Sequence, residues 1–129
     1  MTGPFVYVGT WTIKEGKVDE AREWLAKHTD FLEDNEPRLI SINFFVDEAA
    51  RRVVNVQVHP DADSMAFHMK LIAEHLPAAF DIIEAIELEQ YYGAKSPELA
   101  ELLAPYDEGN VPTTNVAEHL AGFTRTTVR

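Results

Sequence analysis

The fold is decided by one stretch of the chain, the residues RVVNVQVHPDADSMAFH at positions 52–68. Valine alternates with polar side chains over residues 52–59, which predicts a β-strand with two unlike faces. A proline and acidic residues follow at 60–64, a composition typical of the first turn of a helix. One face of that helix then collects four apolar side chains, Met65, Met69, Ile72 and Leu76.

The residues upstream predict two more strands and another helix. β-Branched and aromatic residues dominate residues 4–13, which is a strand pattern. Over residues 18–35 apolar side chains recur near a 3.6-residue period, and Pro37 closes this predicted helix. Residues 39–47 predict a second strand, which a short turn joins to 52–59 as a β-hairpin.

The residues downstream complete a six-element unit. Pro77 is expected to end or kink the second helix, with Phe80 on a short continuation. Residues 82–92 predict a fourth strand, and Gly93 breaks it. The resulting order is βαββαβ. It predicts a ferredoxin-like α+β fold with both helices on one face of an antiparallel sheet.

The C-terminal part of the chain lies outside this unit. Residues 96–104 predict a short helix, 109–114 a loop, and 116–128 a strand-like segment. We therefore divide the chain into a ferredoxin-like domain, 1–95, and a helix with a tail, 96–129. The tail is expected to dock on the domain or on its dimer partner.

Composition excludes several classes of function. The chain has 129 residues, the length of one domain, and a formal net charge of −11. Such an acidic surface repels phosphate groups, so nucleic acid and anionic membrane are poor partners. Cysteine is absent, which removes disulfides and thiolate chemistry. No apolar run approaches the ~20 residues of a membrane span, and no secretory leader is recognisable, so we expect a cytoplasmic protein.

Both faces of the predicted sheet are apolar, whereas helices on one side cover only one of them. We expect Val54, Val56 and Val58 to pack under the helices. The opposite face then holds uncharged aromatic and amide side chains: Phe5, Tyr7, Trp11, Leu39, Ser41, Asn43, Phe45, Val53, Asn55 and Gln57. Such a surface is usually covered. We expect a homodimer whose two sheets enclose a pocket, the alternative being coverage by the chain's own C-terminal segment.

The stretch VHPDADSMAFH at 58–68, and the strand followed by KEGK at 14–17 and an amphipathic helix, resemble the antibiotic biosynthesis monooxygenase-like family. The helical turns through His75 and Phe80 extend the resemblance, which covers residues 5–92. It implies a dimeric α+β barrel. It also implies one of two activities: cofactor-independent oxygenation of quinol or polyketide-like substrates, or oxidative cleavage of haem.

Eight residues are candidates for the site. His68 shares a helical stripe with Ser64, Leu71 and His75, and a histidine there can exchange protons near neutral pH. We assign proton transfer and orientation to His68, Tyr7, Asn43 and Asn55, and substrate contact to Trp11, Phe45, Gln57 and His75. Amide and phenol groups can stabilise a developing enolate. The alternatives are a boundary histidine bonded to backbone or water, and a polar layer within a dimer interface.

No metal site is expected. His68 and His75 are two helical turns apart, about 10 Å by helix rise, too far to share one ion. His59 with Asp61 and Asp63 is better explained as a solvated helix start. His28 is interpreted as a core or boundary histidine, and the segment around Arg125 as a docking tail.

Three functions remain open. The leading one is a monooxygenase of small aromatic, quinol or polyketide-like substrates that needs no tightly bound metal or cofactor. The second is a haem-binding or haem-degrading barrel with His68 as axial ligand. The third is a non-catalytic, dimeric small-molecule-binding domain.

Overall fold

The computed structural model describes residues 3–107 and 109–125, which form an α+β unit. Its elements in chain order are β1 (Phe5–Ile13), α1 (Val18–Asn35), β2 (Ser41–Asp47), β3 (Arg52–His59), α2 (Ala62–Ile72), α3 (Leu76–Ile82), β4 (Ile83–Tyr92), α4 (Pro97–Asp107) and β5 (Thr113–Val116). The sheet order is β2-β3-β1-β4-β5, with β4 and β5 parallel and all other pairs antiparallel. The predicted ferredoxin-like α+β fold is confirmed, with one strand added at the edge.

The start of α2 is built as the sequence indicates. The carboxylate of Asp61 is the N-cap and accepts a hydrogen bond from the backbone N–H of Ser64 at 3.0 Å. This bond satisfies one of the amide groups that have no partner within the first turn of a helix. Asp61 is also paired with Arg38, in the loop between α1 and β2.

The second helix ends earlier than its apolar pattern suggests. It stops at Ile72, and Leu76 belongs to the separate short helix α3. Pro77 explains the break, because in a continuous helix its ring would collide with the carbonyl of Ala73 and its nitrogen would leave a hydrogen bond unmade. Pro77 instead occupies the first turn of α3, where no donor is needed.

The C-terminal predictions were partly wrong. α4 runs to Asp107, three residues beyond the predicted end. Residues 113–116 form β5, although 113–114 were expected to belong to a loop and the strand-like segment to begin at Val116. The free edge of β4 offers these residues hydrogen-bond partners. Residues 117–125, expected to be strand-like, have no regular structure, and 126–128 lie outside the described residues.

The assignment of the two sheet faces was also wrong. Tyr7 pairs with Gln57, and both are buried beneath the helices, whereas Val54, Val56 and Val58 point to the other side and are only half-buried. We call that other side the outer face. Its uncharged part consists of Val6, Val8, Thr10, Ser41, Asn43, Phe45, Val54, Val56, Val58, Leu88, Gln90 and Tyr92, and the charged Asp47, Arg52 and Glu87 lie at one end of it. The alternating pattern predicts which residues share a face, but it does not predict which face the helices cover.

The helix-covered face packs as two clusters. Phe5, Tyr7 and Tyr91 of the sheet pack with Met65 and Ala66 of α2 and with Leu99 and Leu103 of α4. The second cluster joins Ile13 and Val53 of the sheet to Ala21 of α1 and Ile82 of α3. Because α2 and α4 rest on one cluster and α1 and α3 on the other, the two are not fused into one core. None of the helices in the described ranges is long and apolar enough to cross a membrane.

Replacing Leu99 by alanine should lower the free energy of unfolding by about 2–5 kcal/mol, since the side chain is 0% exposed and its loss leaves a cavity. Urea denaturation measures this. The matched control is Leu120→Ala at a position that is 93% exposed, where a change of no more than about 0.5 kcal/mol is expected. Equal effects of the two substitutions would mean that α4 is not part of the core.

Candidate functional site

A cavity of about 80 Å³ lies between the two clusters, bounded by the sheet on one side and by α2, α3 and α4 on the other. This is the volume open to the centre of a water molecule, enough for roughly five waters or one small organic ligand. Apolar and aromatic side chains dominate the lining, among them Trp24, Phe44, Met65, Met69, Ile72, Leu76 and Phe80. Neither lysine nor arginine lines the cavity among the described residues. The interior therefore favours an uncharged, largely apolar molecule.

Six of the eight predicted site residues meet at this cavity. They are Tyr7, Trp11, Asn55, Gln57, His68 and His75. The positions of Tyr7, Trp11, Asn55 and Gln57 follow from strand alternation on β1 and β3. His68 lies on α2, whereas His75 follows α2 and is the N-cap residue of α3. The roles assigned to them stay predictions.

Asn43 and Phe45 do not reach the cavity. In the β2–β3 register Asn43 lies opposite Val56 and Phe45 opposite Val54, so both belong to the outer face. Phe45 is 60% exposed. The expected grouping of Asn43 with Asn55 was wrong because the hairpin pairs Asn55 with Phe44.

The best-defined polar contact of the cavity joins His68 to Glu36. The Nδ1 atom of His68 lies 2.5 Å from Oε2 of Glu36, and both side chains are buried. This bond assigns the ring proton to Nδ1 and leaves the lone pair on Nε2. Nε2 makes no hydrogen bond among the described residues, and His68 lines the cavity. The pair thus has the arrangement of an oriented base.

Glu36 was missed by the sequence reasoning. It is the C-cap residue of α1, its backbone N–H bonds to the carbonyl of Leu32, and Pro37 follows directly. The backbone here turns away from the helix and directs the carboxylate inward beneath α2. A carboxylate at a helix C-terminus opposes the helix dipole, so its presence there was the available signal that it has a partner elsewhere.

A second buried carboxylate enters from the sheet. Glu89 on β4 is 4% exposed and accepts hydrogen bonds from the hydroxyl of Tyr91 at 2.7 Å and, more weakly, from that of Tyr7 at 3.4 Å. Burial raises the pKa of Glu89. Burial, and then the neighbouring charge of Glu89, raise the pKa of Tyr7 far above its usual value, so this phenol keeps its proton.

Gly9 makes room for the hydroxyl of Tyr7. A Cβ atom at this position would lie 2.2 Å from that oxygen and 3.1 Å from Nε1 of Trp11. Both distances are too short for any larger residue without displacing Tyr7. The glycine therefore sets the floor of the cavity.

Three buried polar atoms of the lining lack partners among the described residues: Nδ1 of His28, the indole N–H of Trp11 and the side-chain oxygen of Asn55. The groups of Trp11 and Asn55 lie on the sheet wall of the cavity. A buried donor and a buried acceptor without partners are costly, and such groups commonly serve a ligand or an ordered water. They offer one hydrogen bond of each kind to a polar group of a bound molecule.

The side chain of Gln57 is hydrogen-bonded to that of His59. Its Oε1 atom lies 3.0 Å from Nε2 of His59, whose Nδ1 lies 2.7 Å from Oγ of Ser64. His59 is completely buried, and burial, followed by the charge of His68, lowers its pKa to about 3. His59 is therefore a neutral support of the cavity wall.

Aromatic rings close the end of the cavity near α1. His28 stacks on Trp24 with ring centroids 4.6 Å apart, and His75 packs on Phe31 at 4.4 Å. Burial, with smaller contributions from His68 and His75, lowers the pKa of His28 to about 4. These rings shape the cavity, and His28 remains uncharged at neutral pH.

Similarity to known proteins is visible in structure. Over 95% of this chain and 91% of the other, the fold matches MupZ from Pseudomonas fluorescens, with a TM-score of 0.72 and 18% identity. Two proteins that bear the name antibiotic biosynthesis monooxygenase also match. The one from Bacteroides thetaiotaomicron covers 66% of this chain and 84% of its own, with a TM-score of 0.58 and 14% identity. The match to the one from Chloroflexus aurantiacus covers 69% of this chain and 90% of that protein, with a TM-score of 0.59 and 13% identity.

The chain has the antibiotic biosynthesis monooxygenase-like fold. No family model matches the sequence, and no curated protein matches it significantly, so the likeness is one of fold alone. The MupZ match extends over nearly the whole chain, which means that it includes most of α4 and β5.

The cavity does not fit a haem. No cationic side chain of the described lining is available to pair with its two propionates. Within the described residues, no three histidine, aspartate or glutamate side chains converge as metal ligands.

Stability should fall with acid because of His59. Its pKa in the folded protein, about 3, lies below the unfolded value of 6.5, so protonation favours unfolding. Stability is thus unaffected above pH 6.5 and falls by about 1.4 kcal/mol per pH unit below it, until about pH 3. Urea denaturation between about pH 3 and pH 6.5 measures the number of protons taken up on unfolding. This number should be smaller by one in His59→Gln than in the wild type. The exposed His119→Gln serves as control, and equal slopes in the two variants would contradict the assignment.

Proposed function

We propose that this protein is an enzyme of the monooxygenase type that removes a proton from a small, uncharged, aromatic or polyketide-like substrate. The observation that supports it most is the His68–Glu36 pair at the wall of an apolar cavity. The reaction needs no tightly bound metal or cofactor, because the substrate itself supplies the electrons. The names of structural relatives favour the same class.

Proton removal is the task of His68. Glu36 holds the ring in one orientation and stabilises the imidazolium that forms when Nε2 accepts a proton. Both partners are buried, so water neither screens their interaction nor competes for the lone pair. An isolated surface histidine would have neither advantage.

The substrate's oxygen is held by groups on the sheet. Trp11 offers an N–H without a partner, and the long bond from Tyr7 to Glu89 leaves the phenol free to turn toward a ligand. Both donors stabilise negative charge on an oxygen as the neighbouring carbon loses its proton. The side-chain oxygen of Asn55 accepts a hydrogen bond from a hydroxyl group of the same ligand.

Oxygenation follows from the carbanion. Its electron pair reduces O₂, and a peroxide forms at the carbon that lost the proton. Loss of water from the peroxide leaves a carbonyl group. One oxygen atom remains in the product and the other leaves as water. The CH₂ group of the substrate supplies all four electrons, two when the peroxide forms and two when it loses water and the second C–H bond breaks.

Removal of the base tests the proposal. With reduced quinols and anthrones in air-saturated buffer, His68→Ala and Glu36→Gln should each lower kcat by about 10²–10⁴-fold, the usual contribution of general base catalysis. His119→Ala, an exposed histidine elsewhere, should retain wild-type activity. Oxygen consumption and product absorbance measure the rate. Absence of turnover across both substrate classes, with ligand binding retained, would favour a small-molecule-binding domain instead.

We further infer that the outer face is covered by a second copy of this chain, which gives a homodimer. The described helices cover the opposite face, and the centre of the outer face, around Val56, has no charged side chain. The protein has a net charge of −11, so the acidic surfaces of two copies repel each other. The uncharged centre of the outer face is thus where two copies can approach closely.

A charge at the centre of the outer face should separate the copies. Val56→Asp places two buried carboxylates near each other in a dimer, which should weaken association by at least about 100-fold. Val56→Thr has nearly the same shape and should leave the dimer largely intact. Sedimentation equilibrium at micromolar concentration measures the association state of each variant. A monomeric wild type would refute the homodimer.

A further inference from the structure

Glu89 is a buried carboxylate that the proton abstraction by His68 does not use. It lies on the sheet wall of the cavity, whereas His68 lies on the helix wall. A ligand between sheet and helices therefore contacts a carboxyl group on one side and an imidazole on the other.

The surroundings of Glu89 oppose a negative charge. No lysine or arginine of the described residues lines the cavity. The ammonium group of Lys95, 4.6 Å from the centre of the Tyr91 ring, lowers the pKa of Glu89, but its effect is the smallest of those that act on this carboxyl group. Burial is the main reason that the pKa of Glu89 is raised, and the charge of Asp107 adds to it. The groups that face Glu89 are Tyr7 on β1, Tyr91 on β4, Lys95, and Tyr106 and Asp107 on α4.

We propose that Glu89 is the acid of this site: it protonates the carbonyl oxygen of an uncharged ketone while His68 removes a proton from the adjacent carbon. The inference rests on the proposed function, which it extends by a second proton-transfer residue and a substrate class. Carboxylate and phosphate substrates are excluded, because the cavity offers them no cation and presents Glu89.

The step balances without an oxidant. The C–H bond breaks and its proton moves to Nε2 of His68, while the bonding pair becomes the C=C bond of an enol. The carbonyl π pair takes the proton from Glu89 and becomes the enol O–H bond. The enzyme is left with a protonated His68 and an ionised Glu89, and exchange with solvent restores both. Without O₂ the enol returns to ketone, and in heavy water deuterium replaces the hydrogen.

Tyr7 and Tyr91 have different parts. Tyr7 keeps its proton and acts as a hydrogen-bond donor to the substrate oxygen. Tyr91 donates to Glu89 at 2.7 Å and so favours the carboxylate form, which moderates the effect of burial. Removing the Tyr91 hydroxyl should keep Glu89 protonated up to a higher pH.

Deuterium exchange of 2-tetralone, an uncharged aromatic ketone, tests the assignment. The reaction is followed by NMR in heavy water without oxygen. Glu89→Gln keeps the size of the side chain but has no acidic proton, and should lower kcat about 100-fold with little change in KM. Glu84→Gln, an exposed glutamate on the same strand, should match the wild type.

The pH profile separates an acid from a merely structural residue. The exchange rate of the wild type should fall at alkaline pH as Glu89 ionises. This alkaline limb of the pH profile should disappear in Glu89→Gln. In Tyr91→Phe the limb should move to higher pH, which also decides the matter if Glu89→Gln does not fold. A structural role would lower the rate at every pH and leave the limb in place.

The outcomes distinguish this inference from the proposed function. Loss of exchange in His68→Ala, with Glu89→Gln within about threefold of wild type and an unmoved limb, overturns the role of Glu89 alone. An unmoved alkaline limb in Tyr91→Phe does the same. If wild-type protein exchanges no faster than buffer, both the proposed function and the role of Glu89 fail.

Discussion

The structure depends on the rule that helices on one side of a sheet cover only one of its faces. Here the covered face has the long side chains, among them Tyr7, Trp11 and Gln57, and the outer face has the short valines. Long, partly polar side chains do not pack as closely as aliphatic ones. The covered face therefore provides both the core and the cavity.

The cavity exists because the helices pack on two separate clusters. α2 and α4 rest on the cluster around Tyr91, while α1 and α3 rest on the one around Ile13. Pro77 contributes to this separation, since it prevents α2 from continuing and allows α3 to begin in a new direction. α4 is needed as well, because Leu103 and Tyr106 close the cavity from its side.

The electrostatics of the site contrast with those of the surface. The protein is strongly acidic, yet each buried carboxylate of the cavity is held by a hydrogen-bond donor of the protein: Glu36 by His68, and Glu89 by Tyr91 and Tyr7. Buried charges persist only when such partners are present, and removing one partner leaves an expensive group behind. The two pairs, one on the helix wall and one on the sheet wall, are therefore structural necessities as well as chemical resources.

The sequence alone determined the βαββαβ order of elements and the side chains that share a face of each strand. Alternation along β1 and β3 grouped Tyr7, Trp11, Asn55 and Gln57, because this period is a local property of the chain. The sequence did not determine which face the helices cover, nor the hairpin register that moved Asn43 and Phe45 outward, since both depend on packing between distant segments. The same holds for Glu36 and Glu89. Each looks like an ordinary surface acid in the sequence, and only the tertiary structure buries it beside a partner 32 or 82 residues away.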